Sequence, residues 1–348
     1  MEDADNNHPL NQPFNSINHK MKILVRLPNW LGDVVMSTAF VNSVRQVYPD
    51  AQVDVIIKKE LGGIASLIPG LHTIYNFSKQ EFKGLNGVYR FGKSLRAENY
   101  DLFFCLPDSL SSAVMGWASG AKKRIGFNKE GRFFLMTNSY KKPVNMHRVD
   151  EYVALLEQFT SKSITKRIVK LDVKDEVKTD NLVVINFNSE AISRRMPADK
   201  AKHIINTLTH TFPETKFAFV GSPKERVFVG GLINASEQPD LLENYAGKTD
   251  LKGLAQLMAK AAVVLSTDSG PAHLANSVGT PVIALFGAGN ERNTAPYNKQ
   301  NLIVLRAGQL ACEPCVQNVC KLYGVPKCME LLEELKIVNA IKLYLPHA

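Results

Sequence analysis

The sequence lacks the features that define several large functional classes. No apolar run approaches the roughly 20 residues needed to cross a bilayer, so no spanning helix is expected. The first strand-like run is not followed by Gly-x-Gly-x-x-Gly, which argues against a nicotinamide dehydrogenase. No strand-like run leads into a Walker A loop, which argues against a P-loop ATPase. No short-period repeat is visible. Cysteine is sparse, at five in 348 residues. Cys105 lies in the apolar run Leu102-Phe103-Phe104-Cys105-Leu106 and reads as inert core. The other four form Cys312-x2-Cys315-x4-Cys320-x7-Cys328, a spacing compatible with zinc or an iron–sulfur cluster. They lack the paired Cys-x2-Cys repeat of a zinc ribbon, so a thiol-rich structural loop is favoured over a metal site. Met1 to Lys20 is polar and Asn-rich, without the apolar segment of a signal peptide. It is expected to be a disordered extension of a cytoplasmic protein whose fold starts near Met21.

Hydrophobic residues make up 45% of the chain and charged residues 22%, which describes a soluble globular protein. The length exceeds one typical core, so two domains are the default. Lys plus Arg total 42 against 33 Asp plus Glu, a formal charge of +9. That excess favours an acidic partner: anionic lipid, phosphorylated sugar or nucleic acid. Taken singly, Lys122-Lys123-Arg124, Lys141-Lys142 and Arg194-Arg195 read as solvated surface.

Strand and helix patterns alternate along the first half. Lys22–Leu27 reads as a buried parallel strand, and Gly32–Tyr48 as a helix closed by Pro49. Strands follow at 52–57, 73–77, 101–106 and 124–127, and helices at 61–67, 84–98, 110–119 and 150–159. A polar, Lys-rich stretch then precedes a second alternation, with strands at 182–186, 216–220, 262–266, 282–286 and 302–305. Its helices fall at 197–211, 224–235 and 251–260, with a last one at 330–343. Two such runs imply an α/β protein of two doubly wound, Rossmann-like domains facing across a cleft. The boundaries expected are an extension over 1–20, a first domain over 21–160 and a linker over 161–180. A second domain follows over 181–328, and a C-terminal helix over 329–348.

The most informative segment is Thr267-Asp268-Ser269-Gly270-Pro271-Ala272-His273, followed by Gly279-Thr280-Pro281. Asp268 and Ser269 are good N-cap residues, Pro271 suits a first helical turn, and Gly279 a helix end. A helix start presents unpaired N–H groups that hold anions such as phosphate. Ser269 and His273, four apart, share a face. An ordinary structural helix start explains the segment equally well. Asp33 opens a helix after the first strand, either as a capping residue or as a general base in the cleft. Arg194 and Arg195 follow the first strand of the second half, where an Arg fork suits a diphosphate. Two sites on one side of that half favour a nucleotide diphosphate ligand.

Together with Pro28-Asn29-Trp30-Leu31-Gly32-Asp33, Leu106-Pro107-Asp108-Ser109, Gly221-Ser222-Pro223-Lys224 and Ala246-Gly247-Lys248-Thr249, these residues form an ordered set. On that set the chain, from Met21 to its last helix, resembles the ADP-heptose:lipopolysaccharide heptosyltransferases of glycosyltransferase family 9, most nearly the heptosyltransferase II type. The resemblance implies a GT-B architecture, with an N-terminal acceptor domain and a C-terminal donor domain. It implies an inverting single displacement with ADP-heptose as donor substrate, no cofactor and no essential metal. Asp33 would be the general base. Arg194, where the family usually has Lys, would contact the donor diphosphate. Ser189, Glu190, Asp268, Ser269, Gly270 and His273 would complete the donor site. The partner would be a lipid A–core acceptor at the cytoplasmic face of the inner membrane, not nucleic acid. Two departures bear on the donor: Arg194-Arg195-Met196-Pro197 replaces a Lys-Arg-Trp-Pro type of sequence, and Asn188-Ser189 a Gly-Ala type of turn. The alternatives are a family 9 enzyme with another donor or acceptor, a GT-B-like nucleotide-sugar epimerase, or a non-enzymatic anion-binding scaffold.

Overall fold

A computed structural model describes residues 20–174 and 176–345. The extension expected over 1–20 therefore lies, apart from Lys20, outside the described residues. The first sheet holds β1 (Lys22–Arg26), β2 (Gln52–Lys58), β3 (Ile74–Phe77), β4 (Leu102–Cys105), β5 (Lys123–Phe127) and β6 (Asn138–Tyr140). Its helices are α1 (Leu31–Val47), α2 (Gly62–Ala65), α3 (Gly84–Ser94), α4 (Leu110–Ala118) and α5 (Arg148–Thr160). The second sheet holds β7 (Thr179–Asn186), β8 (Lys216–Phe219), β9 (Leu242–Asn244), β10 (Ala261–Thr267), β11 (Val282–Phe286) and β12 (Leu302–Arg306). It carries α6 (Ala198–Thr211), α7 (Arg226–Asn234), α8 (Leu251–Lys260), α9 (Gly270–Ser277), α10 (Glu291–Thr294), α11 (Lys327–Glu330) and α12 (Glu334–Lys342).

Both six-stranded sheets are wholly parallel and share one topology, β3-β2-β1-β4-β5-β6 and β12-β11-β10-β7-β8-β9. Burial on both faces explains the continuous apolar runs of the central strands. In β1, Ile23 and Val25 join the core under α1 and α5, while Leu24 joins the core under α3 and α4. Each sheet has one switch point where the strand order reverses: between β1 and β4, and between β7 and β10. Open α/β sheets bind ligands just outside the strand ends at such points. Sequence periodicity missed β6 and β9, each three residues long and too short to show alternation. The helix expected over 330–343 is interrupted, with α11 ending at Glu330 and α12 starting at Glu334.

The two units are joined by packing as well as by chain. One apolar core runs from the α1/α5 face of the first sheet to the α8/α9 face of the second, taking in Val34, Leu156, Val184 and Leu274. Between α5 and β7 the described residues form no helix or strand, yet Leu171 is buried there. Its N–H donates to Ser277 O of the second unit, and the next N–H, of Asp172, to Leu67 O of the first. His147 Nε2 lies 2.8 Å from Ala295 O, and Tyr297 OH donates to Asp150 at 2.8 Å.

The starts of α1 and α9 also pack closely together. A Cβ at Gly32 would lie 2.8 Å from the His273 ring, and one at Gly270 would lie 2.9 Å from Leu31 Cβ. Only glycine lets these helix starts meet, because neither a buried ring nor a helix backbone yields at such distances. Gly32→Val is expected to destabilise the protein by about 1–3 kcal/mol through overpacking. Gly63→Ala, where a Cβ meets nothing nearer than 3.8 Å, is the control with little effect. Thermal unfolding of the two variants checks this, and equal Tm values would refute the close contact.

Candidate active site between the two sheets

The first side of the site is built where β1 hands over to α1. Asp33 is the third residue of α1 and does not cap it; the N-cap residue, Trp30, makes no side-chain cap either. The carboxylate turns instead to α5. Tyr152 OH donates to Asp33 Oδ1 at 3.2 Å, and Arg148 Nε stands 3.7 Å from the same oxygen. Burial raises the Asp33 pKa above the ordinary carboxylate range, and Arg148 and Tyr152 pull it part of the way back. A chain of charges leads away from Asp33. Arg148 donates to Glu151 at 2.7 Å, Glu151 lies 2.9 Å from Lys142, and Lys142 lies 2.5 Å from Asp108. These four side chains line a cavity of about 500 Å³, to which Asn293 of the second unit also contributes.

The second side forms where β7 and β10 end. Asn186, the last residue of β7, donates through Nδ2 to Asn188 O, Ser266 Oγ and Ser269 Oγ, at 2.9–3.1 Å. Ser269 Oγ donates in turn to Thr267 O at 3.1 Å. Ser269 thus occupies the N-cap position of α9, but its side chain makes no capping bond. The sequence suggested a capped helix; the strand-end network takes the hydroxyl, and the α9 start is left without a side-chain acceptor.

Asp268 is 4% exposed. Arg194 Nη1 stands 3.3 Å from Asp268 Oδ2, but not in line for a hydrogen bond. Asp268 Oδ2 and Arg194 Nε are both buried without a hydrogen-bond partner among the described residues. Burial lifts the Asp268 pKa to about 6, against the opposing pull of Arg194 and Arg306. Arg306 pins the loop that closes over this carboxylate, donating to the carbonyls of Gly287 and Gly289 and to Glu291 Oε2 at 2.5 Å. A Cβ at Gly289 would fall 1.9 Å from Asp268 Oδ2, so glycine is required there. His273 lies under Gly32, and burial depresses its pKa to about 3, aided by His147, Lys299 and Arg194. It is a neutral imidazole at physiological pH.

The structure therefore brings Arg194, Asp268, Ser269, Gly270 and His273 together, with Asp33 across the α1–α9 contact. Ser189 is close by and buried, its carbonyl accepting from Arg195 Nε at 2.5 Å, whereas Glu190 is exposed. Sequence reasoning missed Tyr152, Arg148, Asn186, Gly289 and Arg306. Tyr152 meets Asp33 across 119 positions, and no local spacing signals such a pair. Of the cysteines, Cys105 and Cys328 are buried and Cys312, Cys315 and Cys320 half-buried, all as free thiols. Burial, with Glu313, Cys315 and Cys320 nearby, pushes the Cys328 thiol up to about 11. Among the described residues no group of three or more His, Cys, Asp or Glu is arranged to hold a metal ion.

Two wholly parallel, doubly wound sheets, joined through the α1–α9 contact with a switch point in each, form a GT-B type fold. The model of glycosyltransferase family 9 (heptosyltransferase) matches residues 88–325, and the chain belongs to that family. It is 28% identical to the lipopolysaccharide core heptosyltransferase OpsX of Haemophilus influenzae over 79% of this chain and 81% of that protein. The structure of E. coli ADP-heptose lps heptosyltransferase II superposes with a TM-score of 0.79 at 21% identity, over 93% of this chain and 98% of that one. E. coli heptosyltransferase WaaC with ADP-2-deoxy-2-fluoro heptose gives 0.69 at 18% identity, over 82% and 93%.

Because the Asp268 pKa is raised on folding, its charged form is disfavoured in the native state. The resulting contribution favours folding below about pH 4 and is lost as pH rises through about 6. Asp268→Asn, which removes that ionisation, is expected to raise Tm relative to the parent protein at pH 8. The gain should shrink toward pH 4. Thermal melts across that range check the sign, and a Tm difference independent of pH would refute it.

Proposed function

We propose that the protein transfers heptose from ADP-heptose to the inner core of lipopolysaccharide, in the manner of heptosyltransferase II, with Asp33 as general base. The observation that carries this reading is the pairing across the α1–α9 contact. A carboxylate of raised pKa stands on one side; on the other are Arg194, whose Nε has no hydrogen-bond partner among the described residues, and a helix start without a side-chain cap. Family membership, the resemblance to a lipopolysaccharide core heptosyltransferase and the ADP-sugar bound by WaaC support it.

In this mechanism Asp33 takes the proton of the acceptor hydroxyl as that oxygen attacks the anomeric carbon. A raised pKa suits the role, since a base is most effective when its pKa nears the working pH. The glycosyl C–O bond breaks with its electron pair going to ADP, and the anomeric centre inverts. Negative charge grows on the departing diphosphate. Arg194, through its unpartnered Nε, and the backbone N–H groups around Ser269 and Gly270 stabilise that charge from fixed positions. Asp268 accepts hydrogen bonds from donor hydroxyls. Ser189 and Glu190 stand at the strand end where the nucleotide part would extend. His273, neutral and wedged under Gly32, couples the donor helix to the Asp33 helix rather than offering a positive charge. The first unit, 21–160, takes the acceptor and the second, 181–328, the donor. The acceptor sugar occupies the cavity bounded by Asp108, Lys142, Arg148 and Asn293, while its lipid part remains in the cytoplasmic leaflet of the inner membrane.

Incubation with ADP-heptose and heptose-deficient lipopolysaccharide should release ADP only when the acceptor is present. Release with another donor alone would refute the donor assignment, and an epimer formed without acceptor would refute the transfer. Asp33→Ala should bind ADP normally but lose at least about 100-fold in kcat. Arg194→Ala should instead weaken ADP binding measured by calorimetry. Near-normal turnover in the first variant, or unchanged affinity in the second, would overturn the respective role.

Turnover should fall as pH drops through the raised Asp33 pKa, because the protonated base accepts no proton. Tyr152→Phe removes a hydrogen bond that favours the charged carboxylate, so this acid limb should move to higher pH. A pH–rate profile unchanged by that substitution would show that the phenol does not position the base.

A further inference from the structure

The segment that runs from Lys129 and Glu130 to Lys142, residues that line the cavity, carries exposed apolar side chains with no role in the proposed transfer. Phe133 and Phe134, adjacent in a turn of 3-10 helix over Arg132–Leu135, are 57% and 67% exposed. Further along the same segment Val144 is 77% exposed and Met146 also open, and both line the cavity itself. The two phenyl rings lie edge to face with centroids 6.0 Å apart. Adjacent exposed phenylalanines are costly in water and mark an interaction surface.

The exposure is built in rather than frayed. Arg132, the residue before the pair, is completely buried. Its guanidinium donates to Phe127 O at 3.0 and 3.1 Å, to Pro107 O, and to Cys105 Sγ at 3.2 Å. This anchor ties the turn to the ends of β4 and β5, so Phe133 and Phe134 are held outward on a fixed base. The flanking charge is basic. Lys129 and Lys141 are exposed and make no ion pair among the described residues, unlike Lys142, which is committed to Asp108 and Glu151. Glu130, also exposed, accepts from the Leu110 N–H.

We infer that the Phe133–Phe134 turn, with Val144, Met146, Lys129 and Lys141, is the surface by which the protein docks on an anionic lipid bilayer. Apolar side chains flanked by lysines match a membrane interface, where the rings enter the headgroup boundary and the cations meet anionic lipid. The proposal rests on the reading that the acceptor is a lipid. It adds which face meets the membrane: the rim of the cavity beside Asp33, so that a headgroup sugar enters that cavity while its acyl chains stay in the leaflet. The surface is interfacial only, since among the described residues no helix is long and apolar enough to cross a membrane.

Co-sedimentation with phosphatidylcholine vesicles, with and without phosphatidylglycerol, tests it. The unmodified protein should bind the anionic vesicles and lose them at high salt. F133S/F134S should retain its Tm, because both rings are exposed, and lose at least about tenfold in partitioning. Lys141→Glu should lose binding to the anionic vesicles specifically. On a water-soluble acceptor saccharide F133S/F134S should turn over normally, while its KM for vesicle-embedded acceptor rises. No vesicle binding by the unmodified protein, or equal binding by F133S/F134S, overturns the docking surface. So does a loss of turnover on the soluble acceptor, which would assign the pair to the acceptor site, or a loss of self-association without a vesicle effect. Failure to transfer heptose to either acceptor would defeat the functional reading instead, and the vesicle measurements distinguish the two.

Discussion

Everything at the candidate site depends on the contact between Gly32 and Gly270. Each glycine lies at the start of the helix that follows a switch-point strand, α1 after β1 and α9 after β10. With no Cβ on either, the two starts approach until Gly32 rests on the His273 ring and Gly270 on Leu31. Asp33 is the next residue after Gly32, and Ser269 and Asp268 precede Gly270. The separation between the carboxylate and the anion-ready helix start is therefore set by backbone packing, not by the reach of flexible side chains. A geometry fixed in this way is what a displacement reaction needs, because small misplacements of reacting groups are costly in rate.

The same packing sets the electrostatics. Two carboxylates stand on opposite sides of one contact, Asp33 half-buried and Asp268 buried, and burial raises the pKa of each. Their partners differ. Asp33 is answered by a phenol and a guanidinium, both on α5, and the guanidinium is itself tied into a chain of charges reaching Asp108. Asp268 faces an arginine that is near but misaligned, and a loop held shut by Arg306. Asp33 is thus oriented by neighbours on a rigid helix. Arg194 Nε and Asp268 Oδ2 keep hydrogen-bonding capacity that no described residue takes up, a state in which native interiors leave few buried groups. His273 has no such capacity for charge: its low pKa follows from being the spacer between the helices.

How much of this the sequence reveals divides along a physical line. The parallel sheets are legible because strands buried on both faces must be apolar throughout, as Ile23-Leu24-Val25 and Val263-Val264-Leu265 are. Asp268 to His273 are legible as a candidate site because they are contiguous, running from the end of β10 into the first turn of α9. Asp33 is legible by position but not by role, since a first-turn acid reads equally well as a cap. What the sequence conceals is whatever the fold assembles from distant positions. Tyr152 and Arg148 reach Asp33 from α5, Arg306 reaches the Asp268 loop from the last strand, and Gly289 is needed only because a carboxylate lies against it. The loss of the Ser269 cap is of the same kind, because Asn186 competes for that hydroxyl from the end of another strand.

The segment joining the two units adds a constraint on how the site can move. The two sheets carry different parts of the candidate site, Asp33 in the first unit and Asp268 with Ser269 in the second, so their relative position sets its geometry. Here the α1 and α9 starts, the His147–Ala295 and Asp150–Tyr297 contacts, and the Leu171–Ser277 bond all link the units on the side of α1 and α5. Relative motion about such a seam would leave distances near Asp33 almost unchanged and would be largest at elements far from it. Lys142 and Arg194 stand off this seam, yet each is tied to a residue beside it: Lys142 to Glu151 and through it to Arg148, and Arg194 to Asp268.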